Sequence, residues 1–222
     1  MGKEAVTVTH APADAWDRID RWLSDHAPGY RARLRPPAES EVLRRVAERS
    51  AGAELPPALL CWWARTDGLD RAPAPESPPP AGHLIPDFYD PCGAAEADER
   101  RTIHLQAAQD IVPPPLAAAW EHHTRARSAD PAGTLYPTEA VPVWLPEWLP
   151  VAVDGGGGGL FTDLRPGQLH GCVVPFTRTG HHRAPRWPGI TEMLTDVADR
   201  LQSLDANEAV AMTVGHWTPP RG

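Results

Sequence analysis

Five consecutive glycines at 155–159 follow Asp154, and a second aspartate, Asp163, comes soon after them. A glycine-rich turn can cradle a phosphate when its backbone N–H groups open directly into a helix N-terminus. Here the run leads into "LFTDLRPG", which is strand-like and ends in a Pro-Gly turn, and no Gly-Lys-Ser/Thr follows. The pattern reads instead as a hairpin between "WLPVAVD" and "LFTDL", with Asp154 at the turn entrance. Asp154 and Asp163 are then expected to lie across that hairpin. Two carboxylates so placed can flank a cleft as acid and base, but turn capping accounts for both more simply.

Other reactive side chains lack the spacing their chemistry needs. His122-His123 and His181-His182 are adjacent pairs, whose rings diverge on a helix or strand. No H-x-x-x-H or H-E-x-x-H puts two imidazoles on one face, so no metal site is expected. There is no G-x-S-x-G elbow. Cys172, beside Gly171 and His170 in "HGCVV", reads as a small buried hydrophobe on a strand. No catalytic residue and no cofactor follow from these patterns, and the chain is not expected to be an enzyme.

Composition narrows the class further. The 222 residues carry a net charge of −8, from 29 acidic against 21 basic side chains. That disfavours nucleic acid, which needs a basic footprint, and permits a basic protein partner, although solubility alone also accounts for it. No apolar run approaches the roughly 20 residues that span a bilayer. The three cysteines are scattered, with no C-x-x-C, and "MGKEAVTVTH" carries no signal-peptide pattern. A soluble, cytoplasmic protein with no membrane association is the expectation. Nine tryptophans are expected mostly to build core, with one or two exposed at an interface. Trp144, Arg186 and Trp187 are the candidate partner contacts.

Helical periodicity dominates the first half. "DAWDRIDRWLSDH" predicts a helix capped by Asp14, with Trp16, Ile19, Trp22 and Leu23 on one face. A second helix is predicted over 38–50, with Gly52 as its stop. "LPPALLCWWARTDG" predicts a short third helix, with prolines in its first turn and Asp67 and Gly68 shaping the turn that ends it. Residues 72–82 read as a Pro-rich insertion loop. "HLIPDFYDP" is a short apolar segment, "AEADERR" a solvated charge run, and 105–110 a short helix. After Pro113 a helix is predicted over 116–127.

From 142 onward the period changes to that of strands in "WLPVAVD", "LFTDL" and "HGCVVPFTR". Trp148, Pro150, Asp154, Asp163, Pro166 and Gly167 are expected to hold the central hairpin and its turns. "GITEMLTDVADRLQSL" closes the pattern as an amphipathic helix. The whole describes one α+β domain over 1–222, with an antiparallel sheet packed against N-terminal helices and a C-terminal helix.

Two blocks of this order resemble the SMI1/KNR4 family of the SUKH superfamily. One is the tryptophan-bearing opening that ends in "LPPALLCWWARTDG". The other is "WLPVAVDGGGGGLFTDLRPGQLHGCVV", which is similar to the family's W-L-P-hydrophobic-hydrophobic-D-G and D-L-x-P-G patterns. The recognisable core is about 14–205. Where the family has a small residue or serine before its final helix, "HHRAPRWPG" stands here, so Arg186 and Trp187 form a surface of this chain's own. The resemblance implies an SMI1/KNR4-like α+β fold and function by protein binding. Bacterial members are similar to immunity proteins that neutralise polymorphic or contact-dependent toxins. The alternatives are a cytoplasmic scaffold or regulator of cell-wall synthesis or signalling and, as a minor one, a small-ligand binder or enzyme.

Overall fold

A computed structural model of the chain describes residues 11–50, 52–71, 83–86, 89–135, 144–178 and 184–204. The Pro-rich segment 72–82, His181-His182 and the strand-like "VPV" at 141–143 lie outside the described residues.

Helix α1 (Pro12–His26) buries Trp16, Ile19, Trp22 and Leu23 along one stripe. Asp14 is not its cap. Ala11 occupies that position without a side-chain hydrogen bond. Pro12 opens the helix with a φ already suited to it, and Asp14 sits inside the first turn, where the positive end of the helix favours a carboxylate. A single turn, α2 (Pro28–Arg31), follows, then α3 (Ser40–Arg49) and α4 (Pro57–Trp63). After them come β1 (Asp90–Pro91), α5 (Ala94–Asp110), a 3₁₀ turn at Pro114–Leu116 and α6 (Ala117–Ser128). Strands β2 (Trp148–Val153), β3 (Gly159–Asp163) and β4 (Val173–Phe176) precede the closing α7 (Ile190–Ser203).

The four strands form one antiparallel sheet in the order β1-β2-β3-β4. Every residue of β2, β3 and β4 is buried, because the sheet is covered on both faces. Leu149, Val151, Leu160 and Val173 join the helical core of α1, α4 and α7. Trp148, Phe161, Val174 and Phe176 point into a second cluster with Trp144, Leu145 and Ala108. Pro150 has no N–H for the ladder, and the β2–β3 register shifts between it and Ala152. A bulge is where a proline within a sheet can be accommodated.

Two expectations fail in the middle of the chain. "AEADERR" is not a solvated run but the first turns of α5, which therefore begins eleven residues before the expected 105. Asp98 is 5% and Arg101 3% exposed. They pair with each other at 2.5 Å, while Arg101 donates to Ser50 Oγ and Asp98 accepts from Arg49 of α3. Charged side chains tolerate burial when every partner is supplied, and no local pattern shows that α3 will supply them. β1 was not expected as a strand. It is two residues long and exists only through its pairing with Ala152 and Val153.

Candidate functional site

The motif residues fall into three groups, each tied to backbone. Asp67 Oδ1 accepts the N–H of Ala94 at 2.6 Å and so satisfies a first-turn donor of α5 from a distant segment. Gly68 has φ +79°, as a left-handed residue should, but α4 ends at Trp63, so Gly68 does not terminate it. Its role is close approach: a Cβ on Gly68 would stand 2.3 Å from the Gly93 nitrogen. Asp67, Gly68 and Gly93 thus lock the end of the first motif block to the start of α5.

At the five-glycine turn, Asp154 Oδ1 accepts the N–H groups of Gly156 at 2.7 Å and Gly158 at 2.9 Å. The Asp154 N–H donates to the Gly158 carbonyl, while Gly155 and Gly157 take positive φ. The turn is a hairpin whose donors face its own aspartate, and they do not form a cradle for a phosphate. Asp163 is not across from Asp154. It pairs with Trp148 at the opposite end of the β2–β3 ladder, whereas Val153 pairs with Gly159 beside the turn. Four residues of extended chain separate the two ends, roughly 13 Å. Those carboxylates do not form an acid–base pair.

Asp163 belongs to the third group, with Arg165, the variable position of D-L-x-P-G, whose type no local pattern marks as functional. Arg165 Nε donates to Asp163 Oδ1 at 3.0 Å and Nη2 to Oδ2 at 2.7 Å. The same guanidinium donates to the carbonyls of Arg127 and Thr134, and Asp163 Oδ2 accepts from the Gly133 N–H. Pro166 accepts from the Ala132 N–H, and Gly167, at φ +133°, passes close to Pro131. The β3–β4 turn is thereby fastened to the chain that follows α6.

Beside this turn opens a cavity of about 500 Å³ whose walls include Glu54, Ser128, Glu147, Pro166, Gly167 and His170. Ser128 Oγ donates to Glu147 Oε2 at 2.9 Å. His170 Nδ1 lies 3.2 Å from the Arg165 carbonyl, which can only accept, so Nδ1 is the donor of that hydrogen bond. The two carboxylates, of Glu54 and Glu147, give these walls hydrogen-bond acceptors. Such walls suit a donor-rich cationic group. Glu54, Glu147 and His170 were not singled out from the sequence, since they come from three separate segments with no shared spacing.

The three nominated contacts are not placed as exposed anchors. Trp144 is 3% exposed and lies in the second cluster, stacked on His104 at 4.2 Å and edge-on to Trp148, Phe161 and Phe176. Trp187 is 6% exposed, and its Nε1 donates to Asp196 Oδ2 at 3.1 Å. Its backbone bridges to Val173 at the start of the outer edge of β4, while Arg186 lies over its ring at 4.4 Å. Sheet edges attract partners unless covered, and Trp187 blocks this edge at Val173.

The buried thiols are chemically quiet. Burial pushes Cys172 up to about 12, with the Asp163 charge adding to it, and burial pushes Cys92 to about 12 as well. Among the described residues no group of three or more His, Cys, Asp or Glu side chains is placed to hold a metal ion. No described helix is long and apolar enough to cross a membrane. No protein-family model matches the sequence, and no curated protein matches it.

Proposed function

We propose that this protein is a non-catalytic protein-binding domain, an immunity protein that neutralises a cognate toxin by occluding it. The observation that carries the reading is the acceptor-walled cavity at the D-L-x-P-G turn, in a chain of net charge −8. A basic partner would be drawn by the field of the whole protein and could seat a lysine or arginine between Glu54 and Glu147. Asp67, Asp154 and Asp163 are each engaged with backbone N–H groups, so the resemblance to SMI1/KNR4 proteins rests on residues that build scaffold. An interface of standard size would bury about 1,200–2,000 Å², more than the cavity itself, so surrounding surface must take part.

Affinity capture with the tagged full-length chain, read by mass spectrometry, tests the proposal. Recovery of one basic toxin-like domain, lost on Glu147→Gln, is the expected result. Capture of cell-wall or signalling proteins that is indifferent to Glu147→Gln would overturn it in favour of a scaffold.

A further inference from the structure

A second cavity, also of about 500 Å³, opens between α5 and the segment running from Leu69 to Arg71. Its centre is Glu96, which receives three guanidiniums. Arg71 Nη1 donates to both carboxylate oxygens at 2.5 and 2.6 Å, Arg100 Nε to Oε1 at 2.8 Å, and Arg35 Nη2 to Oε2 at 3.3 Å. Burial by itself would raise the Glu96 carboxyl, but the hydrogen bonds and charges of Arg71 and Arg100 outweigh it and hold the group below the usual carboxylate range.

One carboxylate cannot serve this many donors. Arg71 commits its remaining Nη2 to the carbonyls of Asp90 and Pro91. The Nε atoms of Arg35 and Arg71 are nevertheless shut off from solvent without an acceptor, and so is Nη1 of the adjoining Arg33. Arg33 lies outside the cavity lining and donates Nη2 to the Asp70 carbonyl. A buried donor left without an acceptor is destabilising. Two of these donors belong to side chains that line the cavity, Arg35 and Arg71, and the segment is already held to the helix by Asp67 and by Arg71 Nη1 and Nη2. Asp70 and Glu99 also line the cavity, so the guanidiniums of Arg35, Arg71 and Arg100 face three carboxylates, and Glu99 is exposed. Ile103, 56% exposed, stands on the wall and offers an apolar surface beside the charge.

We propose that this arginine cavity is an oxyanion-binding site, taking a carboxylate or phosphate group of a small ligand that would share Arg35 and Arg100 with Glu96. Arginine forks match both groups. The site is separate from the acceptor-walled cavity and stands whether or not the protein neutralises a toxin.

Glu96 is then the resident competitor of the ligand, and this gives the test a sign that a purely structural cluster lacks. Titration calorimetry of the full-length protein at constant ionic strength would use citrate and inorganic phosphate as probes, on wild type, Arg100→Gln and Glu96→Gln. Arg100→Gln is expected to weaken binding about fivefold or more, and Glu96→Gln to tighten it by a similar factor. Binding of citrate alone assigns a carboxylate ligand, and of phosphate alone a phosphate ligand. Absence of heat with both probes overturns the proposal, as does binding unchanged by Arg100→Gln. Should Glu96→Gln fail to fold, Arg35→Gln takes its place, with a loss matching that of Arg100→Gln expected and an unchanged affinity counting against the site.

Discussion

Asp163 and Arg165, two residues apart in the chain, form a bidentate ion pair in which neither side chain is exposed at all. The pair is no isolated contact, because it also accepts from Gly133 and donates to Arg127 and Thr134. The guanidinium further lies 5.5 Å over the ring of Trp148. The turn beside the candidate binding cavity is therefore set by a charge pair inside the protein.

Removing one partner should be far worse than removing both. Arg165→Met leaves a buried, unpaired carboxylate and is expected to cost about 3–5 kcal/mol in urea unfolding, whereas the double variant Arg165→Met/Asp163→Leu should cost clearly less than the sum of the two singles. Additive losses would show that the two side chains act independently.

Gly52 and Gly68 separate backbone strain from crowding. Both have φ near +80°, but a Cβ on Gly52 meets nothing within 4 Å while one on Gly68 meets backbone. Gly52→Ala should cost about 1 kcal/mol and Gly68→Ala at least twice that, with the Asp67 bond to Ala94 disturbed. Equal midpoints in a denaturant titration would mean that the crossing of Gly68 and Gly93 relaxes freely.

Trp144 and Trp148 should both behave as core. Each is buried in the aromatic cluster, so alanine at either position is expected to cost about 3–5 kcal/mol. A Trp144→Ala protein with wild-type thermal stability would return that residue to the candidate interface.

His104 should make the fold sensitive to acid. Burial, with Arg100 nearby, lowers it from 6.5 to about 4, so the folded protein binds this proton less readily than the unfolded chain. Its contribution is complete above pH 6.5 and is lost progressively as pH falls from there toward 4. Since the ring is partly exposed, the loss should be about 1–2 kcal/mol. Comparing unfolding free energies of wild type and His104→Leu across that window checks it: the variant should show a shallower slope.

The elements that depend on local chemistry were legible from residues alone. The apolar stripes of α1 and α7, the prolines opening α4 and the strands on either side of the glycine run all follow from periodicity, fixed φ angles and turn preference. The hairpin itself was readable because Asp154 and its glycines satisfy one another within five residues.

What the sequence left open depends on segments far apart in the chain. Trp144 and Trp187 carry the composition of interface residues, yet long-range packing against His104, Phe176 and Asp196 buries them. The same holds for Asp98 and Arg101, whose partners Arg49 and Ser50 stand at the end of α3, and for β1, which has no strand signal until β2 lies beside it. Both cavities arise likewise from separate stretches, one from carboxylates beside an imidazole and the other from carboxylates and guanidiniums. Local sequence determined where helices, strands and turns form, because those preferences act over a few residues. Burial, charge pairing and cavity shape were decided only by tertiary structure, because they depend on neighbours that no short window of sequence contains.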